Sequence, residues 1–164
     1  MDYSIRKVKK GDESILAYIQ AESWKAGFKG ILSEEELLRC TDLVKITKMY
    51  QEILDQQLKN GYILEIEKHA HCIAFWDKAR NNEEDCAELI CIHSLLNNWR
   101  KGFGTKMMER VLKDVKKARY KKIILWVFKE NERARGFYEK NGFVTFEKEK
   151  PNIVPIEIMV EREL

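Results

Sequence analysis

Ser94-Leu95-Leu96-Asn97-Asn98-Trp99-Arg100-Lys101-Gly102-Phe103-Gly104-Thr105 joins two stretches of different hydrophobic period, and the rest of the chain is organised around it. Before it, residues 88–94 read as a strand. After it, Met107, Met108, Val111, Leu112 and Val115 recur at helical spacing opposite Lys106, Arg110, Lys113 and Lys117, which predicts a basic amphipathic helix over about 104–118. Two glycines at alternate positions let the backbone turn tightly with its N–H groups facing inward, and the helix start adds a positive end. That combination is a pyrophosphate cradle; its plain alternative is an ordinary helix-start turn. Met107 stands where a dinucleotide fingerprint needs its third glycine, and no Gly-Lys-Ser/Thr follows, so both familiar nucleotide loops are excluded.

Working outward, Ile123-Ile124-Leu125-Trp126-Val127-Phe128 is a continuous apolar run, the mark of a strand buried on both faces. Residues 62–67 and 72–76 add two strands upstream, with a polar stretch at 78–85 between the second and the strand at 88–94. Toward the N-terminus, residues 3–8 form a first strand. Asp12 is placed to cap a helix carrying Ile15, Leu16, Ile19 and Trp24, which ends in the Gly27-Phe28-Lys29-Gly30 loop. Ser33-x-x-Glu36 is a capping box for a second helix. The stripe Leu43, Ile46, Met49, Tyr50, Ile53, Leu54 marks a third, stopped by Asn60-Gly61. Downstream, a short helix runs from Asn131 to Asn141-Gly142, and strands at 143–147 and 156–160 follow. This order predicts an α/β fold, a mixed sheet covered by helices, in one domain spanning 1–164.

The composition agrees. With 164 residues, 45% hydrophobic and 35% charged, the chain has material for a real core, which excludes disordered, collagen and coiled-coil classes. No stretch approaches the roughly 18 apolar residues of a membrane span, and the opening residues lack the apolar centre of a signal peptide, so a cytoplasmic protein with no membrane partner is expected. Cys40, Cys72, Cys86 and Cys91 have no C-x-x-C spacing and read as reduced thiols. Residues 97–122 hold ten Lys or Arg against Glu109 and Asp114, net +8, which leaves a net −5 on the remainder. A local basic block in an acidic chain suits a small phosphorylated partner better than a nucleic acid, and few aromatics interleave with it; much of it is also a solvated helix face.

About thirty residues after the glycine loop stands Asn131-Glu132-Arg133-Ala134-Arg135-Gly136-Phe137-Tyr138-Glu139-Lys140-Asn141-Gly142-Phe143. Together the two segments resemble the GNAT superfamily of acyl-CoA N-acyltransferases, convincingly over 86–148. The resemblance implies a mostly antiparallel mixed sheet whose central parallel strands splay apart, with helices on both faces. It also implies acetyl-CoA as cofactor and a primary amine of a small molecule or peptide as acceptor. The family motif [Q/R]-x-x-G-x-[G/A], which holds the pyrophosphate, maps onto Trp99-Arg100-Lys101-Gly102-Phe103-Gly104, with Thr105 following. Trp99 departs from the usual Gln or Arg; since the cradle is made of backbone amides, the departure changes one side-chain contact. Ile92 and Ser94 match residues whose backbones bind pantetheine, a case of strand augmentation, and a backbone N–H near Ser94 or Leu95 polarises the acyl carbonyl. Asn131 matches an asparagine near the pantetheine arm, with Ala134 and Phe137 on the same helix.

An alkylammonium must lose a proton before its nitrogen attacks a thioester. Glu88, at the position of the family's general-base glutamate, is the first candidate, against a solvated strand-end carboxylate. His93, with an intrinsic pKa of roughly 6.5, is the second, against a structural histidine. Tyr138 matches the tyrosine of the F-Y-x-K motif that protonates the departing sulfur; its alternative is core packing. Trp24 and Phe28 lie in a segment resembling the aromatic loop that joins the first two helices in many members of the family. Beside the acidic run Glu34, Glu35 and Glu36 they suit a cationic or amine-bearing group, or else belong to the core. His69 and His71 form an H-x-H pair expected on one strand face, without an evident third ligand, so no metal site is assigned. A non-catalytic acyl-CoA-binding module and a nucleic-acid-binding domain are the competing readings. A homodimer remains open.

Overall fold

The computed structural model describes residues 1–150 and 154–164. Within them seven strands make one sheet: β1 Tyr3–Lys7, β2 Asn60–Ile66, β3 His69–Lys78, β4 Cys86–Ser94, β5 Lys122–Phe128, β6 Val144–Glu149 and β7 Glu157–Glu163, in the spatial order β1-β2-β3-β4-β5-β7-β6. Every neighbouring pair is antiparallel except β4 and β5. Five helices connect them: α1 Glu13–Gly27, α2 Glu34–Cys40, α3 Leu43–Gln56, α4 Phe103–Lys117 and α5 Glu132–Lys140. No helix among the described residues is long and apolar enough to cross a membrane.

Two cores lie on opposite faces of the sheet. On one, Met107, Met108, Val111 and Val115 of α4 bury against Leu64, Ala74, Leu89, Ile123 and Leu125, each such side chain contributing roughly 1.5–3 kcal/mol. On the other, Leu16 and Ile19 of α1 and Ile46 and Tyr50 of α3 pack on Ile63, Ile73 and Phe75. The Tyr50 hydroxyl donates to Gln20 Oε1 at 2.6 Å, which satisfies both polar groups inside that layer. The apolar run of β5 follows from this sandwich: Ile123 and Leu125 face α4, while Ile124 joins a smaller cluster with Ala79, Cys86 and Met159.

The capping box forms as expected, with Glu36 N donating to Ser33 Oγ and Ser33 N to Glu36 Oε2 at 2.8 Å. Three expectations are corrected. Asp12 precedes α1 but caps nothing, because its carboxylate is taken by the Arg6 guanidinium at 2.8 and 2.9 Å and by Lys9 N. α3 stops before Asn60-Gly61, at Gln57 in the left-handed conformation, where Gln57 N and Leu58 N both donate to Ile53 O. Gly61 instead lies inside β2, where any Cβ would collide with the Phe75 ring. Finally, His69 is exposed while His71 is only 3% exposed and sits at a β2–β3 register break, so the pair is divided between solvent and core. Among the described residues no three His, Cys, Asp or Glu side chains gather to hold a metal.

Candidate active site

The sheet opens where its two parallel strands meet. β4 pairs with β5 only at Cys86–Lys122, Ala87–Ile123 and Glu88–Ile124; from there the strands diverge. A β3–β4 register shift between Phe75 and Trp76, which leaves Ile90 without a partner, bends β4 at the same level. Farther along, Leu95 N donates to His71 O at 3.1 Å beside the register pair Cys72–Ser94. In an antiparallel ladder this makes Cys72–Ser94 a non-hydrogen-bonded pair. The main-chain groups of Ser94, and those of Ile92 two residues earlier, therefore point away from β3 into the gap. The Ser94 carbonyl is not free: Trp99 Nε1 donates to it at 2.9 Å. This corrects the expectation that all of the Ser94 edge is open, and shows what the tryptophan does in place of Gln or Arg.

The loop after β4 ends in alternating backbone signs. Arg100 has φ +62° and Gly102 φ +85°, with Lys101 of ordinary negative φ between them, an alternation that turns successive N–H groups to one side. Gly102 is the N-cap of α4 and offers no side-chain cap, so the N–H groups of the first turn, from Phe103, Gly104 and Thr105, have no intrahelical acceptor. Gly104 has a second reason to be glycine, since a Cβ there would meet the Phe137 ring at 3.2 Å. The Phe103 side chain is core, edge-on to Tyr3 and His71, so only its backbone belongs to the cradle. Lys101 is exposed and its ammonium donates to Asn98 Oδ1.

Below the loop, a cavity of about 390 Å³ fills the gap between β4 and β5 and continues under α1 and α3. Its walls carry Ile92 and His93 from β4, Trp126, Val127 and Phe128 from β5, Asn131, Ala134 and Tyr138 from α5, and Trp24 and Phe28. Cradle and cavity meet along α5, where Phe137 touches the α4 start and Tyr138 enters the cavity. Asn131 caps α5, its Oδ1 accepting from Ala134 N at 3.1 Å. Trp24, Phe28 and Phe128 form a contiguous aromatic wall, with ring centroids 5.2 and 5.0 Å apart along the chain of contacts. Trp24 and Phe28 are half-buried rather than core. Glu34, Glu35 and Glu36 are not among the residues lining the cavity, and Glu36 is hydrogen-bonded to Ser33.

The titratable groups differ sharply. Glu88 is 2% exposed, lies outside the cavity wall, and receives the Arg80 guanidinium through both oxygens at 2.7 and 3.2 Å. It is not the solvated strand-end carboxylate of the alternative reading. His93 lines the cavity, where burial pushes its pKa down to about 4. Its Nε2 accepts from Trp24 Nε1 at 3.2 Å, so the neutral ring carries its proton on Nδ1. Burial holds the Tyr138 phenol well above its ordinary value and lifts the Cys91 thiol to about 12. Both stay protonated at neutral pH. Arg133 lies flat over the Trp99 ring at 3.8 Å, joining α5 to the cradle loop. The sequence carried Arg133 in the quoted string, but nothing in its spacing set it apart from Arg135.

The model of the acetyltransferase (GNAT) family matches residues 31–143. The chain belongs to the GNAT acetyltransferase family. No curated protein matches the sequence. Among solved structures, PaiA N-acetyltransferase from Thermoplasma acidophilum in complex with coenzyme A is similar at TM-score 0.87 and 20% identity, over 100% of both chains. An acetyltransferase from Thermus thermophilus gives 0.77 and 15%, over 100% of this chain and 98% of that one. Ribosomal-protein-alanine N-acetyltransferase from Brucella melitensis gives 0.74 and 15%, over 98% and 99%. At these identities the likeness establishes the GNAT fold, mixed and mostly antiparallel with its opened central strands.

Proposed function

We propose that this GNAT chain transfers the acetyl group of acetyl-CoA to a primary amine of a small molecule or peptide, by direct attack within a ternary complex. The observation that carries the reading is the continuity of three features: an uncapped helix start behind alternating left-handed residues, a strand edge open at Ile92 and at the Ser94 N–H, and a cavity lined by Tyr138. These fit the donor part by part. The N–H groups of 102–105 suit the pyrophosphate, with Arg100 and Lys101 adding positive charge. The Ile92 edge and Asn131 suit the amides of pantetheine, with Ala134 and Phe137 as the apolar wall beside them.

Chemistry is then divided among few groups. The aromatic wall of Trp24, Phe28 and Phe128 excludes water and holds the acceptor against β4. As the nitrogen bonds to the acyl carbon and the carbon–sulfur bond breaks, the surplus proton on the nitrogen passes to the departing thiolate, directly or through solvent, while the Tyr138 hydroxyl donates a hydrogen bond to that sulfur. Cys91 lies on the wall, but burial raises its thiol pKa to about 12, so it stays protonated and does not compete as a nucleophile, which favours direct transfer over an acyl-enzyme. Neither candidate base is poised to deprotonate an ammonium. Glu88 is engaged by Arg80, and His93, near 4, is about six units too weak for an alkylammonium near 10. The poorly solvated cavity itself disfavours the charged amine, so the acceptor reacts in its neutral form. The test is thiol release from acetyl-CoA across a panel of amines, amino acids and peptides. Amine-dependent release supports the reading, and thermal stabilisation by coenzyme A without release identifies a binding module instead.

A further inference from the structure

We infer that the amine acceptor also carries an anionic group, a carboxylate or a phosphate, and that the ammonium of Lys59 receives it. The inference rests on the acetyl-transfer reading of the same cavity. Its ground is the inventory of fixed charge on the wall, which among the described residues comprises two cations, Lys59 and Arg133, and one carboxylate, Glu157. Glu157 is already matched by Lys150 at 2.8 Å. Arg133 has no ion pair or hydrogen bond among the described residues, but its place differs. Its guanidinium covers Trp99, and its tip lies where a Cβ on Gly27, the last residue of α1, would sit 3.1 Å away, at the negative end of that helix. Arg133 thus belongs to the cradle end. Among the described residues Lys59 has neither an ion pair nor a hydrogen bond.

Lys59 also stands in the right place. It is half-buried where α3 gives way to β2, on a wall shared with Met49, Tyr50 and Ile53. It shares that wall with Phe75 of β3 and Cys91 of β4, which puts it on the α1 and α3 side of the sheet, away from the α4 cradle. Without a counter-ion the Lys59 ammonium leaves a fixed positive charge on the wall, and a ligand anion there pairs with it, with an attraction stronger inside a cavity than in open water. A second cation on the acceptor meets the opposite field. The acidic run expected to receive it lies off the wall, leaving no unmatched carboxylate among the described wall residues to offset Lys59. The aromatic wall then accommodates the aliphatic linker between amine and anion.

The test compares kcat/KM with acetyl-CoA for ω-amino acids from glycine to 6-aminohexanoate, 2-aminoethyl phosphate, n-butylamine and putrescine. The inference predicts that at least one anionic amine exceeds n-butylamine and putrescine by about tenfold or more. The amino acid and phosphate arms separate the two anions. Lys59→Met should raise KM for the anionic amine alone, leaving the acetyl-CoA KM and the melting temperature unchanged, and Lys59→Glu should favour putrescine. Turnover of neutral amines or diamines as fast as the acids, or indifference to Lys59→Met, overturns the inference while acetyl transfer stands. Coenzyme A binding with no turnover of any amine overturns the transfer reading, and this inference with it.

Discussion

Replacing Tyr138 by Phe removes one oxygen and nothing else, because the ring keeps its edge-to-face contacts with Phe137 and Phe143 at 5.4 and 5.8 Å. The size of the effect follows from acidity. Burial holds this phenol above its ordinary value near 10, whereas a free thiol titrates near 8.5. Full proton transfer from Tyr138 to the leaving thiolate is therefore uphill, and the hydroxyl works as a hydrogen-bond donor to developing charge. A hydrogen bond to a charged group contributes about 1.5–3 kcal/mol, which corresponds to a loss of roughly 10- to 150-fold in kcat. The KM for acetyl-CoA and the melting temperature should stay constant. The assay is initial-rate thiol release between pH 6 and 10, and the wild type should show no falling limb from phenol ionisation in that range. A kcat within about twofold of wild type in a folded Tyr138→Phe variant refutes the assignment.

Gly104→Val should push Phe137 from the start of α4 and block the cradle, abolishing coenzyme A binding in calorimetry while circular dichroism retains the fold; undiminished affinity contradicts the cradle. Phe28→Ala should raise the acceptor KM with an unchanged acetyl-CoA KM. Because the ring is half-buried, its stability loss should fall below the roughly 3–5 kcal/mol of a core phenylalanine; a full core-sized loss with acetyl-CoA and acceptor equally affected returns Phe28 to the core. The pH dependence of stability has a definite sign. His93 takes a proton near 6.5 in the unfolded chain but only near 4 when folded, and burial lowers His71 in the same direction. Unfolding free energy should fall as pH drops from about 6.5 toward 4, and His93→Gln should flatten that slope in denaturant titrations.

Periodicity made most of the architecture legible. The α4 stripe, the continuous β5 run and the Ser33 capping box each depend on residues close in sequence, and each forms where expected. The resemblance supplied the divergence of β4 and β5, which no local pattern encodes. What stayed hidden depends on partners distant in the chain. Arg80 lies eight residues from Glu88, yet only the folded β3–β4 connection turns the strand-end carboxylate into a buried ion pair. Trp24 reaches His93 across 69 positions. The left-handed turn at Gln57, without glycine or asparagine, gave no signal, and Asn60-Gly61 drew attention to the wrong stop. Lys59 shows the same limit, since a charge without an ion pair is recognisable only once the fold has placed the other charges of its wall.

In the proposed reaction the gap between β4 and β5 passes an acetyl group from coenzyme A to an amine without holding it on the protein. Acetyl-CoA labelled in its acetyl group tests this directly, with the label followed by mass spectrometry on both amine and protein. Direct transfer puts label on the amine in proportion to the thiol released, and none on the protein when amine is withheld, Cys91 included. Label retained on the protein before amine is added, or coenzyme A binding with no labelled amine, contradicts it.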